Sequence, residues 1–280
     1  MIGPRATKAW PAGPEQAISV LERCSLGVLA LVVVSFLALP LVALLERAVR
    51  TSDFLEVLTS STVAEALRLS FITTGISLIL IVVFGTPMAY LLARVRFPGH
   101  QIVDTLIDLP IVLPPAVGGL GLLMAFGRRG LLGEWLSDIG IELAFTTTAV
   151  VMAQTFVASP FYVRTAKAGF EAVDRELELV SQTLGLSRME TFFRVAVPLA
   201  WPALLAGAVM AWARALGEFG ATIMFAGSIA GRTQTIPLAI YRSLETGLEV
   251  PLALSVILVV IAFLVLFIFR FLAKGSAFYV

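Results

Sequence analysis

Six stretches of the chain carry no charged side chain: residues 24–45, 69–93, 109–127, 143–163, 195–213 and 250–269. Each is 19 to 25 residues long. About 20 apolar residues cross the hydrocarbon core of a bilayer as a helix. The apolar positions are continuous rather than alternating, which predicts helices and not a barrel. The fifth stretch opens on the loop-like VAVPLAW, so its span is expected to start near Trp201 and run past Arg214. The pattern predicts an all-α membrane protein with six transmembrane helices.

Composition supports the same solvent. Hydrophobic residues make up 59% of the 280 and charged residues only 14%, against about 25% charged in soluble domains. Mean hydropathy is +0.96. Six spans place both termini on one side. Lys and Arg are enriched on cytoplasmic segments, and with the N-terminus inside, the inner segments hold 12 of them and the outer segments 7. Both termini are therefore expected in the cytoplasm. Residues 1–23 read as a cytoplasmic tail, 24–274 as one transmembrane domain and 275–280 as a C-terminal tail.

Several chemistries drop out. Cys24 is the only cysteine and His100 the only histidine, so no intramolecular disulfide, multi-Cys site or cluster of His ligands can form. His100 is expected to sit solvated in a cytoplasmic loop. A net charge of +1 gives no reason to expect nucleic acid. No G-x-x-x-x-G-K-[ST] loop is present, so energy for uphill movement must come from a partner or an ion gradient.

The longest polar segment between spans is 168–200, AGFEAVDRELELVSQTLGLSRMETFFRVAVPLA. Val173, Leu177, Val180 and Leu184 recur at helical spacing. Asp174 can cap the start of that helix, and Gly185 is placed to end it in a left-handed conformation. Ser187 and Glu190 form a capping box for a second short helix, closed by Pro198. Two readings fit this helix–Gly–helix unit: an amphipathic helix on lipid headgroups, or a docking element for a cytoplasmic partner.

Two further features stand out inside apolar runs. Arg214 and Glu218 sit one turn apart in ARALGEFGATIMFAG, with Gly217 and Gly220 around them. A lone charge at the bilayer centre costs at least about 2.5–3.5 kcal/mol, so both should face the bundle interior or water. They are either a mutual ion pair that pins the fifth helix, or residues lining a path, the glycines allowing close approach or a local break. The third run contains DLPIVLPPAVGGLG, in which Pro114 and Pro115 remove backbone donors. This is a packing kink or a broken helix facing a pore. Beyond the fifth span, GRTQTIPLAIYR supplies Arg232, Thr233 and Gln234, either donors at an anion entrance or a linker whose polar groups satisfy backbone.

The segment 168–200 resembles the coupling-loop signature of ATP-binding-cassette importer permeases, E-A-A-x3-G-x9-I-x-L-P. Gly185, Val195, Val197 and Pro198 fall at its Gly, Ile, Leu and Pro positions. Leu179, Val180 and Ser181 stand at the E-A-A positions, and Glu178 is one residue early. RVRFPG, DLPIVLPPAVGGLGLL, SPFYVRT, LGEFGA and GRTQTIPLAIY are similar to the molybdate permease subfamily and its sulfate relatives, over roughly residues 60–272. The resemblance implies the type I importer permease fold in the plasma (inner) membrane. It also implies a homodimer, two cytoplasmic ATPase subunits holding ATP and Mg, and an extracytoplasmic oxyanion-binding protein. This chain would itself hold no cofactor or metal and would not be an enzyme. Glu178, Gly185, Val195, Val197 and Pro198 would form the ATPase-coupling loop. On the path reading of the residues themselves, Arg214, Gly217, Glu218, Gly220, Pro114 and Pro115 would lie at the gate. Arg214 would lower the barrier for an oxyanion such as molybdate or tungstate, and Glu218 would prevent a permanently tight site. Sulfate or thiosulfate is the same-fold alternative. An ion-coupled secondary transporter is a further alternative, opposed by the coupling loop and the lack of an inverted repeat.

Overall fold

A computed structural model describes residues 20–51 and 54–276. Most of the expected N-terminal tail, 1–19, and residues 277–280 of the C-terminal tail lie outside the described residues. Every regular element among those described is helical: α1 (Val20–Val49), α2 (Phe54–Leu58), α3 (Ser61–Arg94), α4 (His100–Val112), α5 (Pro115–Phe126), α6 (Gly133–Asp138), α7 (Thr147–Ala172), α8 (Arg175–Thr183), α9 (Arg188–Thr191), α10 (Val197–Leu216), α11 (Gly220–Ala226), α12 (Ile236–Ser243) and α13 (Glu249–Ser276). Two compact units are distinguished, residues 1–47 and 48–280. The first consists of most of α1, a 30-residue apolar helix with Pro40 inside it.

In the second unit the core is α3, α7 and α10, held by small residues. Ala89, Ala158, Ala166, Ala200 and Ala211 are fully or almost fully buried. Small side chains let membrane helices approach closely, since lipid supplies no hydrophobic drive between them. α3 and α7 run parallel. The Ser77 hydroxyl donates to Val151 O and lies 3.2 Å from Gln154 Oε1. Thr86 and Tyr162 hydroxyls meet at 2.6 Å, and Arg94 donates to Val173 O. Two parallel helices need one return between them. α4 and α5 make it: Asp104 and Asp108 of α4 pair with Lys167 and Arg164 of α7, and Leu122, Leu123 and Phe126 of α5 pack by Ala149 and Val150. α10 runs antiparallel to α7, with Gly169 against Ala203 and Gly207 against Tyr162 and Thr165.

Among the described residues, three helices are long and apolar enough to cross a membrane: 25–49, 61–94 and 188–216. A fourth crossing is available if the bent pair α4–α5 counts as one. The third apolar run is thus two helices, whose axes turn through 118°. Pro115 stands at the start of α5, where a missing N–H costs nothing.

Three local expectations change. The second short helix does not close at Pro198. α9 runs through a π turn (Phe192–Ala196) into α10 as one 29-residue helix. The wider i→i+5 turn, with Val197 N–H bonded to Phe192 O, accommodates the proline ring that follows. The fifth span stops at Leu216, so Glu218 lies past the helix end rather than on it. His100 is buried, not solvated, its Nε2 3.0 Å from Leu92 O. Gly99, at φ +87°, turns the chain back against the end of α3.

Candidate functional site

Two helix breaks meet in the bundle. The α4–α5 break ends at Pro114, which is exposed, and Pro115, which is half-buried. The α10–α11 break spans Gly217, Glu218 and Phe219. A Cβ on Gly220 would lie 3.0 Å from Pro115 Cβ and 3.1 Å from Ala116 N. One turn along, a Cβ on Gly119 would lie 2.5 Å from Ala221 O and 2.6 Å from its Cα. α5 and α11 therefore touch backbone to backbone, which only glycine permits. Gly217 has an ordinary φ of −85° and open surroundings, its closest would-be contact being Ala213 O at 3.7 Å.

Glu218 sits in this junction at 1% exposure, and Arg214 Nη1 lies 2.7 Å from its Oε2. Its other oxygen, Oε1, accepts from Ala221 N–H at 2.7 Å. The carboxylate thus serves two purposes: it neutralises Arg214, and it satisfies an amide at the start of α11 that has no intrahelical acceptor. Arg214 retains 27% side-chain exposure, so it is only partly enclosed. The structure brings Pro115, Arg214, Glu218 and Gly220 together. Pro114 and Gly217 border the same breaks.

The proposed entrance residues lie in the loop beyond α11. Thr233 is buried; its hydroxyl accepts from Ile229 N–H and donates to Gly227 O, closing the turn. Gln234 N–H donates to Ile229 O. Arg232 is exposed and lines a cavity of about 360 Å³ with Arg128, Ser137 and Glu142. Arg128 lies 2.7 Å from Glu142 and, by donating to it, holds the Glu142 carboxyl below the usual carboxylate range.

At the opposite end of the bundle, 168–200 forms a rigid helical corner. Asp174 accepts from Glu176 N–H at the start of α8. Gly185, at φ +98°, ends it, with Leu186 N–H bonded to Ser181 O and Gly185 N–H to Gln182 O, the paired bonds of a Schellman turn. Ser187 and Glu190 complete the capping box. Ser181 and Thr191 hydroxyls join the two helices at 3.0 Å. Of the expected apolar stripe, Leu177, Val180 and Leu184 point outward at 49%, 56% and 78% exposure, while Val173 closes α7 and is half-buried. Met189 and Phe193 extend the patch. Glu178 and Ser181 are the residues turned into the bundle. Val195 lies in the π turn and Val197 begins α10, both half-buried, while Pro198 is exposed.

Residue-by-residue reading missed two groups. Arg94 and Tyr90, which bind Glu178, carry no signal beyond RVRFPG. The network of Asp104, Asp108, Arg164 and Lys167 was signalled only as DLP and SPFYVRT, whose charged members pair with each other.

A family described as binding-protein-dependent transport system inner membrane component matches residues 81–276. The chain is 45% identical over 221 residues to the molybdenum transport system permease protein ModB of Mycobacterium tuberculosis, covering 79% of this chain and 83% of that one. It is 44% identical over 186 residues to the probable transport system permease protein NifC of Clostridium pasteurianum, covering 66% and 65%. It thus spans just under two thirds of the clostridial protein's length. It is 39% identical over 223 residues to the sulfate transport system permease protein CysT of Escherichia coli, covering 79% and 80%. Among solved structures, a bacterial alginate ABC transporter in complex with an alginate-bound periplasmic protein matches with a TM-score of 0.71 at 18% identity, over 91% of this chain and 94% of that one. At that identity the likeness speaks for the fold.

Proposed function

The chain belongs to the inner membrane components of binding-protein-dependent transport systems, and from that premise we propose that it is the translocation subunit of an ATP-driven molybdate or tungstate importer. It is a multi-pass inner membrane permease and not an enzyme. The observation that carries the path is the Arg214–Glu218 pair, held where two broken helices meet. An oxyanion passing there would meet a partly exposed Arg214 already restrained by a carboxylate, attractive enough to enter and weak enough to leave. The name of the mycobacterial relative supports molybdate; the E. coli relative keeps sulfate as the same-fold reading.

Six spans with both termini inside remain the topology we propose. α3, α4–α5, α7, α10 and α13 would alternate in direction, and α1 is long enough for the sixth. At 1.5 Å per residue, the 26 residues of α7 reach about 39 Å, enough to cross. A homodimer, two ATPase subunits that hold ATP and Mg, and an extracytoplasmic oxyanion-binding protein would complete the assembly. The exposed apolar patch around Leu177, Val180 and Leu184 supports α8 as the ATPase-docking face, because an outward apolar stripe needs a groove or a lipid surface to cover it.

The test is ATP hydrolysis and uptake by the reconstituted assembly, with the binding protein loaded with molybdate, tungstate or sulfate. Molybdate or tungstate should stimulate both. Stimulation by sulfate alone would transfer the chain to the sulfate reading.

The coupling corner carries its own prediction. Gly185→Val forces a β-branched residue to φ +98°, a strain of about 1–3 kcal/mol. No neighbouring atom blocks the new side chain, so the permease should insert and assemble normally while ATP-driven uptake falls. Gly185→Asn should be milder, because Asn tolerates positive φ. Normal uptake by the valine variant would remove Gly185 from the coupling corner.

A further inference from the structure

Glu178 is the only carboxylate of α8 that is buried, and neither of its oxygens is free. Oε1 accepts from Arg94 Nε and Nη2 at 2.9 and 2.7 Å, and Oε2 accepts from the Tyr90 hydroxyl at 2.8 Å. Arg94 Nη2 also donates to Val173 O at 2.8 Å, the residue that closes α7. One guanidinium, on the last residue of α3, therefore ties together α3, α7 and α8. α8 presents Leu177, Leu179 and Val180 outward, and a push on that face is carried inward by what holds the helix.

α3 leads from this knot to the other end of the bundle. Near its start, Ser70 Oγ accepts from Ile236 N–H at 2.8 Å, just beyond the loop that follows α11. Its 34 residues form a continuous helix of about 51 Å, keyed to α7 at Ser77 and Thr86. We infer that the Arg94–Glu178 pair is a transmission strap, through which displacement of α8 by the ATPase is delivered to α3 and so to the segment beyond the α10–α11 break. Arg94 is a positioning residue in this scheme: it touches neither cargo nor ATPase. The inference rests on the permease reading but not on the identity of the cargo.

A planar guanidinium can serve Glu178 and Val173 at once, whereas an ammonium is a point donor. Arg94→Lys should therefore be partly defective and Arg94→Gln fully so. Tyr90→Phe, which leaves the ion pair in place, should stay close to wild type. The experiment uses the assembled complex with its cognate ATPase, carrying spin labels at Leu131 and Ile229, both exposed at the end far from α8. In the wild type, ATP should shift the distance between labels. In Arg94→Gln, hydrolysis should continue and the shift should vanish. Oxyanion uptake per ATP should fall by roughly 5- to 150-fold, the range of ordinary coupling between sites. A shift as large in Arg94→Gln as in wild type overturns the strap whatever the cargo, as does absence of any ATP-driven shift in wild type. Loss of the assembled complex in both Arg94→Gln and Glu178→Gln also overturns it, since the pair would then be architecture alone. Failure of the proposed function reads out separately, as a wild-type complex that shifts with ATP yet takes up none of the three oxyanions.

Discussion

Gly119→Val is expected to prevent α5 and α11 from packing and to cut the yield of folded, detergent-extracted permease by an order of magnitude. The first atom of any side chain at Gly119 would fall 2.5 Å from Ala221 O and 2.6 Å from Ala221 Cα. Overpacking costs about 1–3 kcal/mol where side chains can move aside. Here the obstruction is backbone, so relief requires separating the two helices, and with them the breaks that Pro115 and Gly220 bring into contact. About 1.4 kcal/mol is a tenfold change in an equilibrium, so a cost from the middle of that range upward multiplies the unfolded, aggregation-prone fraction at least tenfold. The same helix provides graded comparisons. At Gly118 the obstruction is the Phe156 ring edge at 2.7 Å, and at Gly121 there is nothing within 4 Å. The order of damage for valine should be 119, then 118, then 121, measured as monodisperse yield and melting temperature in detergent. Equal behaviour at 119 and 121 would show that α5 and α11 do not meet in this way.

Removing one member of the Arg214–Glu218 pair should be severe, and removing both milder. Glu218 is almost wholly buried, and Arg214 is its counter-charge at 2.7 Å. Breaking a buried pair by deleting one partner typically costs about 3–5 kcal/mol, because an uncompensated charge is left behind. Arg214→Met should therefore depress complex yield, and Glu218→Met more so, since it also deprives Ala221 N–H of its acceptor. The double variant Arg214→Met/Glu218→Gln removes both charges while keeping an amide oxygen for Ala221. It should recover yield. Uptake of labelled oxyanion then decides the role. Good yield with lost uptake places Arg214 on the path, whereas restored uptake assigns the pair to architecture.

The corner between α8 and α9 was readable because its determinants are local. Asp174, Gly185, Ser187 and Glu190 all act on backbone groups within a few residues of themselves, so their spacing carried the information. Both readings of α8, headgroup contact or partner docking, turned its apolar stripe away from the bundle, and Leu177, Val180 and Leu184 do point outward, while Val173 closes α7 half-buried. What holds the helix that way was not readable. Arg94 and Tyr90 wait inside for Glu178, and burying that carboxylate with its partners fixes the rotation.

The uncharged runs alone establish that the chain is helical and lives in a bilayer, since runs of this length have no other stable solvent. The sequence also marks where regular helix is disturbed, as a kink or a break, because proline lacks a donor wherever it stands and glycine permits backbone conformations that other residues resist. What those disturbed points are for one another is a matter of packing. Pro115 meeting Gly220, Asp108 meeting Arg164 across 56 positions and Glu178 meeting Arg94 across 84 depend on how parallel α3 and α7 draw α4, α5 and α10 around them. A residue's local signals reach one helical turn, whereas a buried charge is matched by whichever partner the packing brings to it.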